Sequence, residues 1–148
     1  MTQPRVIDLG DYEVSNDATR IDLDRVEALI RQTYWAAQRP RNQIERALSH
    51  SVLFGAYRKR DGLQVGFCRV VTDFVSFGWV ADVIVDESTR GRGIGKGLMQ
   101  AVIEQPELAG LPLALSTADA QGLYEQFGFT HLPRPQQWML RADQSSRL

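Results

Sequence analysis

The chain is 148 residues long and 43% apolar, with 17 basic and 18 acidic residues and a formal net charge of −1. That length suits one compact domain with its own core, and the charge balance gives no bulk attraction for nucleic acid or an anionic membrane, so any basic site has to be local. No apolar run approaches the ~20 residues a membrane helix needs, and the N-terminus lacks a charged segment followed by an apolar core, so a soluble, unexported, cytoplasmic protein is expected.

In chain order, residues 1–10 carry no strong pattern, and 12–14 form a candidate edge strand. Asp24 followed by Glu27 resembles a capping box, and Val26, Leu29, Ile30, Thr33 and Tyr34 share one helical face, which predicts a helix over 22–37. After Pro40, the residues Ile44, Ala47 and Leu48 mark a short second helix whose other face carries Arg41, Glu45 and Arg46. Residues 52–57 and 63–71 are strand-like around a turn containing Asp61-Gly62, an antiparallel hairpin signal. A turn at 72–76 leads to a third strand of this meander at 77–85. A glycine-rich loop then opens a helix that runs to about residue 105, where Pro106 stops it. Residues 111–115 read as a short buried strand, parallel to the earlier one because strand, helix and strand follow in sequence. Residues 117–126 read as a helix with Gly128 as C-cap, and 129–132 with 137–140 as a closing hairpin around Pro133 and Pro135. The expectation is one domain over 1–148, with a core at about 12–141, a polar tail at 142–148 and no internal repeat.

The loop at 90–97 is the most informative stretch. A helix N-terminus presents unpaired amides and a positive dipole end, so glycines there suit an anion. The dinucleotide spacing G-x-G-x-x-G fails in both registers, because Lys96 and Leu98 stand where the third glycine is needed. The nucleoside-triphosphate loop fails because Gly97, and not Ser or Thr, follows Gly95-Lys96. What remains is Arg90-x-x-Gly93-x-Gly95, with Arg90, Arg92 and Lys96 adding charge.

Arg90-Gly91-Arg92-Gly93-Ile94-Gly95 after Val85, with Leu123-Tyr124-Glu125-Gln126-Phe127-Gly128-Phe129 downstream, resembles the GNAT superfamily of acyl-CoA N-acyltransferases. The resemblance implies a single-domain α/β fold with a mixed, mostly antiparallel sheet and helices on both faces. It also implies acetyl-CoA as acyl donor, its pyrophosphate on the amides of Arg90, Gly91, Arg92, Gly93, Ile94, Gly95 and Lys96. Val83, Ile84 and Val85 would pair with the pantetheine arm, and the strand at 111–115 would splay away to admit it. Many family members carry Asn seven residues before the tyrosine; Thr117 stands there, keeping a capping hydroxyl but losing an amide.

Acetyl transfer to an amine needs a neutral amine, a stabilised oxyanion and a protonated leaving thiolate. An alkyl ammonium has a pKa of roughly 10, so a base or water chain must take its proton. Asp82, in an apolar strand where the family often places an acidic base or relay, is the first candidate; the alternative is a carboxylate paired with Arg69 or capping a loop. Asp73, Glu87 and His131 are weaker, as turn, loop and strand-surface residues. Tyr124 holds the family position of the tyrosine that hydrogen-bonds the donor sulfur and protonates it, against the alternative of a core aromatic beside Leu123 and Phe127. The oxyanion would rest on a backbone N–H near Ile84 or Val85.

Cys68 is the lone cysteine, with no neighbouring His, so it is read as a buried inert thiol; with His50 and His131 unlike a ligand pair, no metal is expected. For the acceptor, the resemblance points to the two early helices and the meander, where Trp35, Arg39, Arg41, Phe74, Phe77 and Trp79 are candidates that would suit an amine with an apolar or anionic portion, or simply fill the core. The reading is a direct-transfer N-acetyltransferase acting on a small-molecule or peptide amine, compatible with a homodimer. The alternative is an acyl-CoA-binding sensor or assembly module without turnover.

Overall fold

The structure, a computed structural model, describes residues 4–143; the polar tail expected at 142–148 lies outside them from residue 144 on. Six strands make one sheet in sequence order: β1 Val6–Asp8, β2 Tyr12–Ser15, β3 Val52–Arg58, β4 Gln64–Thr72, β5 Gly78–Val85 and β6 Leu113–Ala114. Neighbours are antiparallel except β5 and β6, which run parallel. Helices α1 Leu23–Arg31 and α2 Arg41–Leu48 pack on one face, and α3 Ile94–Glu104 and α4 Gln121–Glu125 on the other. This is the mixed, mostly antiparallel α/β arrangement expected.

The side-chain alternation of the strands divides the core in two. Phe67 and Ile84 join Val26, Leu29, Ile30 and Ile44 under α1 and α2. Cys68 and Val70 join Phe54, Leu98, Met99 and Val102 under α3. Each helix is amphipathic for one of these faces only, which fixes the side of the sheet it covers. Gly97 is where α3 approaches the β1–β2 ribbon: a Cβ there would lie 2.6 Å from Leu9 Cδ1 and 3.2 Å from Val14 Cγ2. Gly97→Val is therefore expected to cost about 1–3 kcal/mol by overpacking. A urea titration would show it as a lower midpoint at constant slope; an unchanged midpoint would mean that α3 slides off the strands freely.

Several local expectations are corrected. The segment at 12–14 is not an edge strand, because β1 pairs with its outer side and β3 with its inner side. The cap of α1 is Asp22, which accepts from Arg25 N at 3.3 Å, rather than Asp24. The first helix stops at Arg31 instead of 37: Thr33 Oγ1 donates to Ile30 O at 2.8 Å and accepts from Ala36 N at 3.1 Å, so a hydroxyl-closed turn replaces helical bonds. Likewise Thr117 Oγ1 accepts from Ala120 N at 3.0 Å and closes a turn ahead of α4, which delays the helix expected from 117. The closing hairpin at 129–132 and 137–140 is absent; that segment holds only a 3-10 turn at Pro135–Gln137. Pro133 and Pro135 donate no ladder bond and restrict the residues before them, and the two-residue β6 offers little edge to extend.

Candidate active site

Strand β5 supplies the centre of the site through an irregularity. Arg69 pairs with Ala81 and Phe67 with Ile84, so Asp82 and Val83 together oppose the single Cys68. This is a β-bulge, which leaves its extra residue outside the ladder and re-aims the side chains around it. Asp82 takes φ 53°, a left-handed conformation that Asp tolerates better than β-branched residues do. On the other edge of β5, β6 pairs only with Gly78 and Trp79. Among the described residues Val80 to Val85 are therefore left without a strand partner there, and such an edge templates an extended chain.

The same strand delivers the glycine loop. Asp86 accepts from Ser88 N at 3.0 Å to start a 3-10 turn at Glu87–Thr89. Gly91 and Gly93 then adopt φ 80° and 79°, and Gly93 is the N-cap of α3 with no side-chain cap bond. The first amides of α3 thus have no partner within the helix and none from a cap. A Cβ at Gly91 or Gly93 would meet no atom within 4 Å, so the loop is an open cradle. Arg90, Arg92 and Lys96 are exposed around it, whereas Ile94 is buried at 1% and has only its backbone to offer. Ile84 likewise turns its side chain into the α1–α2 core, and Val83 and Val85 pack toward α3. These features fit the diphosphate and amide-bearing arm of an acyl-CoA: free amides at an open glycine turn, continuous with a free strand edge.

Tyr124 is held by α4, 8% exposed, with its ring edge-on to Phe129 at 6.0 Å between centroids. Burial, seconded by Cys68 and Asp119, pushes its hydroxyl up to about 12. It lines a cavity of about 910 Å³ together with Thr117, Phe77 and His131, between β6, α4 and the irregular C-terminal segment. Cys68 is fully buried, and burial pushes its thiol far up. That suits the inert thiol expected from sequence.

Asp82 is not a free carboxylate. Arg39 bonds both of its oxygens, at 2.8 and 3.2 Å, and Arg69 Nε adds a third bond at 2.7 Å. Arg69 also donates to Ser51 Oγ at 3.2 Å. Burial by itself would raise the Asp82 carboxyl, but the bonds and charges of Arg39 and Arg69 outweigh it, and the group lies below its usual value. It is therefore ionised at neutral pH, and its side chain is 4% exposed. Because the folded state holds this carboxyl low, its contribution to stability is present above the unfolded value of about 4 and is lost as pH falls through the folded value. Asp82→Asn should cost about 3 kcal/mol at neutral pH, the lower end for a broken buried pair because Arg39 reaches solvent. Urea unfolding from pH 7 to 3 should show a smaller acid loss in the variant than in the wild type; parallel curves would contradict this reading of the pair.

The acceptor candidates separate. Arg39 is joined to Asp82, while Arg41 is spent on Asp24 and Glu27 at the surface. Trp35 stacks edge-on with Tyr34 and is 47% exposed between α1 and α2. Trp79 is partly exposed on β5, and Phe74 is exposed at the tip of the β4–β5 turn with φ 66°. Phe77 lies apart, against Trp138 at 6.3 Å. Asp73 closes its own turn by accepting from Ser76 Oγ and from the amides of Ser76 and Val75, which holds its carboxyl far down. Glu87 is exposed, with its N–H on Gln32 Oε1. Sequence reasoning missed the Arg39 contact, since no local signal joins residues 43 positions apart.

Among the described residues no helix is long and apolar enough to cross a membrane, and no group of three His, Cys, Asp or Glu side chains is placed to hold a metal. Residues 49–131 match the family described as "Acetyltransferase (GNAT) domain". A Gibberella zeae protein named "Putative acetyltransferase FG08082" is 31% identical over 84% of this chain and 81% of its own length. The crystal structure of a GNAT-family protein, xcc2953 from Xanthomonas campestris pv. campestris, is 40% identical with a TM-score of 0.84, covering 90% of this chain and 94% of that one. A GNAT-family acetyltransferase from Streptococcus pneumoniae, SP0256, is 27% identical with a TM-score of 0.65 over 90% and 97% of the two chains. The chain belongs to the GNAT family of acetyltransferases.

Proposed function

We infer that this acetyltransferase moves the acetyl group of acetyl-CoA directly to a primary amine of a small molecule or peptide, without a covalent enzyme intermediate. The observation that carries this reading is the continuity of three features: the bulge at Asp82, the unpartnered edge of β5, and the open glycine turn at the head of α3. An extended donor laid along that edge has its diphosphate on the free amides and its thioester beside the bulge. The acetyl oxygen would be polarised by a backbone N–H near Ile84 or Val85.

The amine nitrogen attacks the thioester carbon, the C–S bond breaks, and the thiolate departs toward Tyr124. A phenol at about 12 stays protonated throughout the physiological range. It also holds its proton more tightly than a thiol of about 8.5. Tyr124 therefore acts chiefly as a hydrogen-bond donor that stabilises the departing sulfur, with the net proton supplied from solvent as the product leaves. Asp82, low in basicity but ionised, serves best as a relay that orients a water to take the amine proton, with Arg39 and Arg69 fixing its direction. The acceptor would enter beside Trp35, Arg39 and Trp79.

A panel of small amines and peptides, with acetyl-CoA and a thiol-release readout, tests the reading. Acceptor-dependent release that saturates in both substrates is the expected result. Tight donor binding with no acceptor-dependent release across a broad panel would refute it.

A further inference from the structure

A second cavity, of about 640 Å³, opens at the end of the sheet where β5 delivers the glycine loop; Asp11, Arg58, Lys59, Arg60 and Arg92 are in its lining. Strand register builds it. Tyr12 pairs with Arg58, and Lys59 N donates to Asp11 O at 2.9 Å, which holds the β1–β2 and β3–β4 turns side by side. Arg92 comes from the glycine loop itself, so this cavity borders the loop proposed to seat the diphosphate. Two of its cations are engaged: Arg58 forks onto Asp61 at 3.1 and 2.7 Å, and Lys59 reaches Asp8 at 2.7 Å. Arg60 and Arg92 have no ion pair among the described residues. In a chain of net charge −1, four cations around one cavity are not a consequence of bulk charge.

We propose that this cavity takes the ribose 3′-phosphate of the acyl-CoA, with Arg60 and Arg92 making the enzyme discriminate coenzyme A from its 3′-dephospho form. The proposal rests on the donor reading above. The two phosphate groups of the donor ask for different partners. The diphosphate is a chain of singly charged diesters that backbone amides at a helix start satisfy. The 3′-group is a terminal monoester with close to two charges and three acceptor oxygens, which guanidinium forks match bidentately. It sits on the same nucleotide as the diphosphate, one ribose away, as Arg92 sits on the loop and in the cavity.

Calorimetric titration of coenzyme A and 3′-dephospho-coenzyme A into the wild type and Arg60→Gln tests this. Arg60 is exposed on a turn. The wild type should bind coenzyme A about tenfold tighter, the scale of one charged hydrogen-bonded contact, and added salt should narrow the gap. Arg60→Gln should lose most of that preference while its affinity for the dephospho form stays unchanged. Equal wild-type affinities for the two nucleotides would overturn the proposal and leave the donor reading standing. So would a loss in Arg60→Gln shared equally by both nucleotides. Failure of both nucleotides to bind the wild type would overturn the donor reading, and this proposal with it.

Discussion

Gly93→Val should weaken coenzyme A binding by at least about 100-fold, which corresponds to ~2.7 kcal/mol, while the protein remains folded. Two costs add. Gly93 sits at φ 79°, where a β-branched residue carries strain of order 1–3 kcal/mol. The new side chain would also fill the concavity over which the diphosphate has to approach the amides of α3. Apart from its two chain neighbours, no described residue has an atom within 4 Å of the position a Cβ would take, so the effect does not run through a clash in the core. Gly93→Ala, with the same backbone strain and a smaller side chain, should lose less. Calorimetry with coenzyme A reads the loss, and circular dichroism melting verifies the fold. Affinity within a few-fold of wild type in Gly93→Val would remove the glycine turn from the site.

Tyr124→Phe should lower kcat by about 10²–10³, the range for removing one positioned hydrogen-bond donor to developing negative charge, and leave the donor Kd nearly unchanged. The substitution removes one hydroxyl and keeps the ring that packs edge-on against Phe129. The pH dependence makes the test sharper. With its pKa raised to about 12, Tyr124 does not ionise below pH 10, so it contributes no descending limb there. A fall in the wild-type rate between pH 8 and 10 belongs to another group and should persist in the variant. Turnover equal to wild type across the whole pH range would show that the hydroxyl takes no part.

The elements with strong local signals formed where the sequence placed them. The Asp61-Gly62 turn joins β3 and β4, Pro106 follows the end of α3, and β6 is parallel to β5. Three of the readings that moved share one cause. Ser, Thr and Pro decide local structure through single hydrogen bonds given or withheld: Thr33 shortened α1, Thr117 delayed α4, and Pro133 with Pro135 removed the closing hairpin. Periodicity counts apolar faces and is blind to these bonds.

The functional residues divide in the same way. A contiguous motif needs no tertiary knowledge, because the positive φ of Gly91 and Gly93 and the start of α3 follow from local glycine chemistry. The sequence alone therefore pointed to the family, to the glycine loop as a candidate anion seat and to the candidacy of Tyr124. Only the tertiary structure decided the state of Asp82. Its partners are 13 and 43 residues away, and strand pairing with α1–α2 packing brings them together. It also decided that Arg58-Lys59-Arg60, which the sequence places only in a hairpin turn, lines a cavity with Arg92. The physical reason is range. Backbone preference acts over a few residues and is written in the chain, whereas the charge around a carboxylate or a cavity is set by whatever the sheet register carries beside it.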